Sequence, residues 1–145
     1  MATYNSTGVS TSAPTIGHGL SGNLKVAYAE VVCSAAPATT DTLNFFDLPV
    51  NARIVLAVLE SDDLDTNGSP TITLNIGDSG SATRLFSAST VAQAGTASTA
   101  LAAGAVGYKT TAKTRIVGVP QANAATGAAG TIRLAVAYYV EGAAS

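Results

Sequence analysis

The chain has 145 residues, of which 47% are hydrophobic and only 11% charged, with a formal net charge of −2. Its basic residues stand singly from Lys25 to Arg133, with no basic run and no basic–aromatic interleaving, which excludes a nucleic-acid footprint. The longest aliphatic run, Ile54 to Leu59, is far short of the roughly 20 residues a membrane-crossing helix needs, and no basic or apolar stretch of a secretory signal stands in the opening residues.

Residues 1–22 are polar and rich in Gly, Ser and Thr, with Pro14 and no sustained periodicity; they are expected to form a flexible or extended N-terminal arm ahead of one domain over 23–145. In the extended form, the arm would become ordered only against a neighbouring subunit. Regular structure begins at Leu24. Leu24, Val26, Tyr28 and Val32 share one face of a strand, interrupted by Glu30, while Lys25, Ala27, Ala29 and Val31 share the other. Pro37 breaks the pattern, a short strand follows over 42–48, and Pro49 ends it.

The stretch 52–60 is the most apolar. Strict alternation places Ile54, Leu56 and Val58 on one face and Val55, Ala57 and Leu59 on the other, so burial on both sides is expected. The acidic segment 62–68 reads as a solvated hairpin turn leading into a strand over 71–76, where Ile72, Leu74 and Ile76 point one way. Residues 77–80 read as a turn and 84–89 as another strand. Residues 90–104 read as a long connection with room for one helical turn, since Gly95 and the hydroxyl residues disfavour a helix. Short strands are expected over 108–111 and 114–119, a loop over 121–130, and a last strand over 131–140 with Ile132, Leu134, Val136, Tyr138 and Val140 facing in. Of Tyr138 and Tyr139, one is expected in the core and one on the surface.

Seven or eight strands with Gly/Pro turns and no assured helix make an all-β chain, an antiparallel β-sandwich that is jelly-roll-like. Cys33 is the single cysteine, so packing alone must hold the domain. The alanine pairs Ala27/Ala29 and Ala135/Ala137 would let another layer approach closely, or would simply be sparsely covered outer faces.

One segment has the spacing of a known ligand set. Asp63, Asp65 and Asn67 before Gly68 match the first half of a calcium loop, in which alternate oxygen ligands converge on a hard cation. The match then fails, because position twelve is Leu74 and the flanks are strands; Asp62 and Asp78 are the substitutes at hand. The turn reading is therefore preferred to a metal site, and no metal or other cofactor is expected. Cys33 and His18 are a poor nucleophile–base pair, and Cys33 reads as a small apolar residue. Glu30, Glu60, Asp62, Asp63 and Asp65 are the carboxylates from which a glycosidase pair would be drawn, but there is no Trp to form a sugar platform. No catalytic residues are assigned, and the chain is not expected to be an enzyme.

The order of segments carries a resemblance: MATYNST, KVAYAEV, FFDLPVNARIVLAVLESDDLD, TITLNIGDSG, RLFSASTVAQAG, GYKTTAKTRIVGVPQANAATGAAG and TIRLAVAYYVEG. Over residues 24–140 the chain resembles small structural proteins encoded among the head genes of tailed bacteriophages, some of which look like capsid decoration (cement) proteins. The resemblance implies a virion protein on the capsid exterior, a compact β domain that is often a homotrimer, with the major capsid protein as partner and no nucleic acid or membrane. The alternative is a receptor- or glycan-binding module of a phage tail or fibre, which would need a concave aromatic site or a metal-organised loop.

Overall fold

β-branched and aromatic residues in period-two alternation, punctuated by Gly and Pro, leave the backbone one economical way to satisfy its amides, which is to pair strands and bury one face of each sheet. A computed structural model describes residues 24–142. The expectation of an arm over 1–22, and His18 within it, lie outside the described residues. Eight strands occur among them: β1 (Lys25–Cys33), β2 (Leu43–Leu48), β3 (Ala52–Ser61), β4 (Thr73–Asp78), β5 (Ser81–Ser89), β6 (Ala97–Ser98), β7 (Thr114–Ala122) and β8 (Gly130–Val140). They form two four-stranded antiparallel sheets in the orders β1-β8-β3-β6 and β2-β7-β4-β5. The architecture is the expected all-β sandwich.

The core lies between the sheets. Ile54, Ala57, Leu59, Ile132, Leu134 and Val136 from the first sheet meet Leu43, Leu48, Leu74, Ile76, Phe86 and Ile116 from the second. At roughly 1.5–3 kcal/mol for each large apolar side chain taken out of water, this layer is the main source of stability in a chain without disulfides. Cys33 is part of it, and burial first, with Asp41 second, pushes its thiol pKa up, away from reactivity. Tyr138 packs against the core, as one of the tyrosine pair was expected to do.

Several local expectations are corrected. The acidic segment does not join a hairpin, because β3 and β4 belong to different sheets and 62–72 is a crossover. Only β4 and β5 are consecutive within one sheet; every other connection changes sheets. In β3 the pairing with β8 shifts between Ile54 and Leu56, a bulge at Val55. The extra residue turns Leu56 and Val58 outward and puts Ala57 and Leu59 on the core side with Ile54, so strict alternation fails at this point. Nor is β3 buried on both faces, since Val55 and Leu56 are exposed. Tyr108–Thr111 is not a strand; Lys109 makes one isolated bridge to Arg53. The connection after β5 holds a 3-10 turn at Val91–Gln93 and the two-residue β6.

β7 continues through Pro120 to Ala122, into residues expected to be loop. The proline is tolerated because β2 pairs with β7 only as far as Gly118, so the strand has a free side there. Opposite it, β4 shifts register between Thr73 and Leu74.

Candidate interaction surface

The outward side of the first sheet is built in rows across three strands. Val26 of β1, Ala137 of β8 and Leu56 of β3 make one row; Tyr28, Ala135 and Val58 make the next; Glu30, Arg133 and Glu60 make a third. The first two rows are apolar, with large side chains on the outer strands and alanines on the middle one. The result is an apolar trough floored by Ala135 and Ala137 and walled by Val26, Leu56 and Val58. Val26 is 65% exposed, Tyr28 58% and Leu56 47%, and the exposed Leu24 stands just before β1 next to Lys25. A contiguous exposed apolar surface of this kind is the mark of a docking face.

The alanine faces expected from the sequence thus separate. Ala135 and Ala137 floor the exposed trough, whereas Ala27 turns to the opposite side of the sheet and packs against the core. Of the two faces of β1, the one with smaller side chains is turned inward and the one with Val26 and Tyr28 outward.

The third row bounds the trough with charge. Arg133 Nη1 lies 3.1 Å from Asp62 Oδ1 and 3.4 Å from Glu60 Oε1, and its Nε lies 3.9 Å from Glu30 Oε2. The Tyr28 hydroxyl donates to Glu30 Oε2 at 3.3 Å. Three of the five carboxylates named from the sequence therefore meet, but around an arginine. Asp62 is held below the usual carboxylate range, first by the Thr131 N–H and then by Arg133, which is the opposite of the shift a general acid needs.

The calcium-like segment lies apart from this face. Asp65, expected in a solvated turn, is buried, and its carboxylate accepts four backbone N–H bonds. Oδ2 takes Thr71 (2.7 Å), Ile72 (3.2 Å) and Ala125 (2.9 Å), and Oδ1 takes Thr126 (2.9 Å). Burial pushes its pKa up, but the four amides together outweigh that and hold it well below the usual range. The other candidate oxygens also turn to local amides, Asp63 Oδ1 accepting from Asp65 N–H and Asn67 Oδ1 from Ser69 N–H. Asp78, named as a substitute ligand, is near Arg84 instead and accepts its guanidinium; Arg84 in turn stacks 3.8 Å from the Tyr108 ring centroid. Among the described residues, no three His, Cys, Asp or Glu side chains form a group able to hold a metal ion.

The sequence alone did not reveal Asp65 as a hub. An acid followed by turn residues reads as surface, and its partners Ala125 and Thr126 lie about sixty positions away.

Neither the protein-family models nor the curated protein sequences yield a match. Solved structures do. A chain of the cyanophage Pam1 capsid asymmetric unit is 49% identical over 97% of this chain and 99% of its own length, with a TM-score of 0.78. A chain of the capsid of Ralstonia phage GP4 is 34% identical over 85% of this chain and 87% of its own, with a TM-score of 0.66. A chain from the acid-stable capsid of Helicobacter pylori bacteriophage KHP30 shares the fold, at 17% identity and a TM-score of 0.62. By its identity to the first two over nearly their full lengths, this chain belongs to the same family of bacteriophage capsid proteins and is a structural component of the virion.

Proposed function

We propose that the protein is a capsid decoration (cement) protein, a homo-oligomer, read as a trimer, that binds the exterior of the mature head where major capsid subunits meet. One observation carries the reading: a chain of this capsid family presents an outward sheet face with two apolar rows, Val26–Ala137–Leu56 and Tyr28–Ala135–Val58, that nothing in the described chain covers. Alanines in the middle strand let a partner's backbone or side chains approach closely, and the Glu30–Arg133–Glu60 row supplies a polar rim, the composition of a stable assembly interface. The repeated crossing of the chain between sheets supports reading the sandwich as a jelly roll, an architecture common in capsid domains.

The mechanism is mechanical and involves no catalysis. A protein that binds only the expanded lattice lowers the free energy of that lattice and stabilises it by linkage, to an extent set by its concentration relative to the dissociation constant. Purified protein mixed with capsids that lack it, expanded in one sample and unexpanded in the other, tests this. Stoichiometric binding to expanded capsids alone is expected. Binding to cell-surface glycan with none to either capsid would establish the tail or fibre module in its place.

A further inference from the structure

We propose that the Asn67–Gly68 step is a site of spontaneous deamidation, at which the amide of residue 67 is converted to a carboxylate without an enzyme. The reaction needs an asparagine whose side-chain carbonyl carbon lies against the next backbone nitrogen, and a following residue that leaves the approach open. The second condition is met by Gly68, and the hydrogen bonds of Asn67 bear on the first. Asn67 and Gly68 are exposed, and a Cβ placed on Gly68 would meet nothing within 4 Å, so neither a side chain nor a neighbouring group crowds the Gly68 side of the step. Asn67 Oδ1 accepts from Ser69 N–H at 2.9 Å, which folds the side chain over the intervening Gly68 amide and polarises the carbonyl towards attack. Asn67 Nδ2 donates to Thr126 Oγ1 at 2.9 Å, which holds that conformer in place, and Thr66 N–H bonded to Thr126 O at 3.0 Å anchors the loop beside it.

Hydroxide removes the Gly68 amide proton, and the nitrogen attacks Asn67 Cγ. The new C–N bond closes a five-membered succinimide, and the Cγ–Nδ2 bond breaks with ammonia leaving after it takes a proton from water. A second water adds to either ring carbonyl and reopens the ring, to aspartate or to isoaspartate. The net change is one water consumed and one ammonia released. The only co-reactant is water, and the rate rises in proportion to hydroxide.

The consequences are local and definite. The product makes the chain one unit more negative than its formal −2. It also removes the amide that donates to Thr126. Isoaspartate lengthens the main chain by one methylene between Thr66 and Gly68, in the crossover that Asp65 ties down. The extent of conversion therefore records time since synthesis.

The test is to incubate the full-length purified protein at neutral and mildly alkaline pH and to map its peptides by mass spectrometry. Residue 67 is expected to gain a single dalton, with both aspartate and isoaspartate appearing, ahead of the exposed Asn44 and Asn123, which precede Phe45 and Ala124. Gly68→Ala is expected to slow the conversion severalfold in a protein with unchanged melting temperature, since the added methyl enters open space. The proposal is overturned if residue 67 keeps its amide as long as Asn44 and Asn123 do, or if Gly68→Ala converts as fast as the parent.

Discussion

Asp65 ties two loops that are distant in sequence: its carboxylate collects amides from Thr71 and Ile72 on one side and from Ala125 and Thr126 on the other. Asp65→Ala leaves those donors without their shared acceptor at a buried position, and Asp65→Asn turns an amide NH2 towards groups that are themselves donors. Both variants are expected to melt earlier, the alanine form by roughly 5–10 °C, measured by circular dichroism. The pH dependence has a fixed sign. The folded pKa lies below the ordinary value of 3.8, so the stabilisation is complete above that value and is lost as pH falls through the folded one. The melting-temperature gap between parent and Asp65→Ala should therefore stay constant from neutral pH down to about 4 and narrow in stronger acid; a gap that widens in acid would refute the assignment. Because the carboxylate is committed to amides, adding calcium or a chelator is expected to leave the melting temperature unchanged.

At the scale of elements, the bulge in β3 decides which of its side chains face outward. Strict alternation would put Leu56 in the core beside Ile54, whereas the shifted register puts it outside beside Ala137. Leu56→Asp is therefore expected to leave the stability of the isolated domain within about 0.5 kcal/mol of the parent while abolishing self-association or capsid binding. Leu59→Ala, in the same strand but inside, is expected to cost about 2–5 kcal/mol in denaturant titration. The reverse ranking would restore simple alternation. The β4–β5 hairpin has its own constraint at Gly77, where a Cβ would sit 2.0 Å from Ser81 O and 2.6 Å from Ala82 C. Those are backbone atoms that cannot rotate away, so Gly77→Ala should cost about 1–3 kcal/mol or more by the same titration.

At the scale of the whole molecule, two features follow from one topology. Among the described residues, six of the seven connections between consecutive strands cross from one sheet to the other, leaving a single hairpin, so most native contacts are between residues far apart in sequence. Loop closure must precede the reward of pairing, and refolding followed by stopped-flow circular dichroism is expected to take milliseconds to seconds rather than microseconds. The same topology gathers the small-residue strand β8 into the middle of the first sheet, between β1 and β3, where its alanines can form a trough only because larger side chains flank them.

The strand rows were legible wherever alternation alone defines them. Ile72, Leu74 and Ile76, and Ile132, Leu134 and Val136, are inside as expected, because side-chain direction in a strand is a local property with a period of two. The apolar richness of 52–60 was legible too, but its expected burial on both faces was not met, since Val55 and Leu56 are exposed. The structure alone decided three other matters. The bulge at Val55 depends on how β8 pairs with β3, and the inward face of β1 depends on what β2 and β8 present to it. The burial of Asp65 depends on amides about sixty residues away. Each is set by contacts between distant parts of the chain, which a local pattern of polar and apolar residues does not encode.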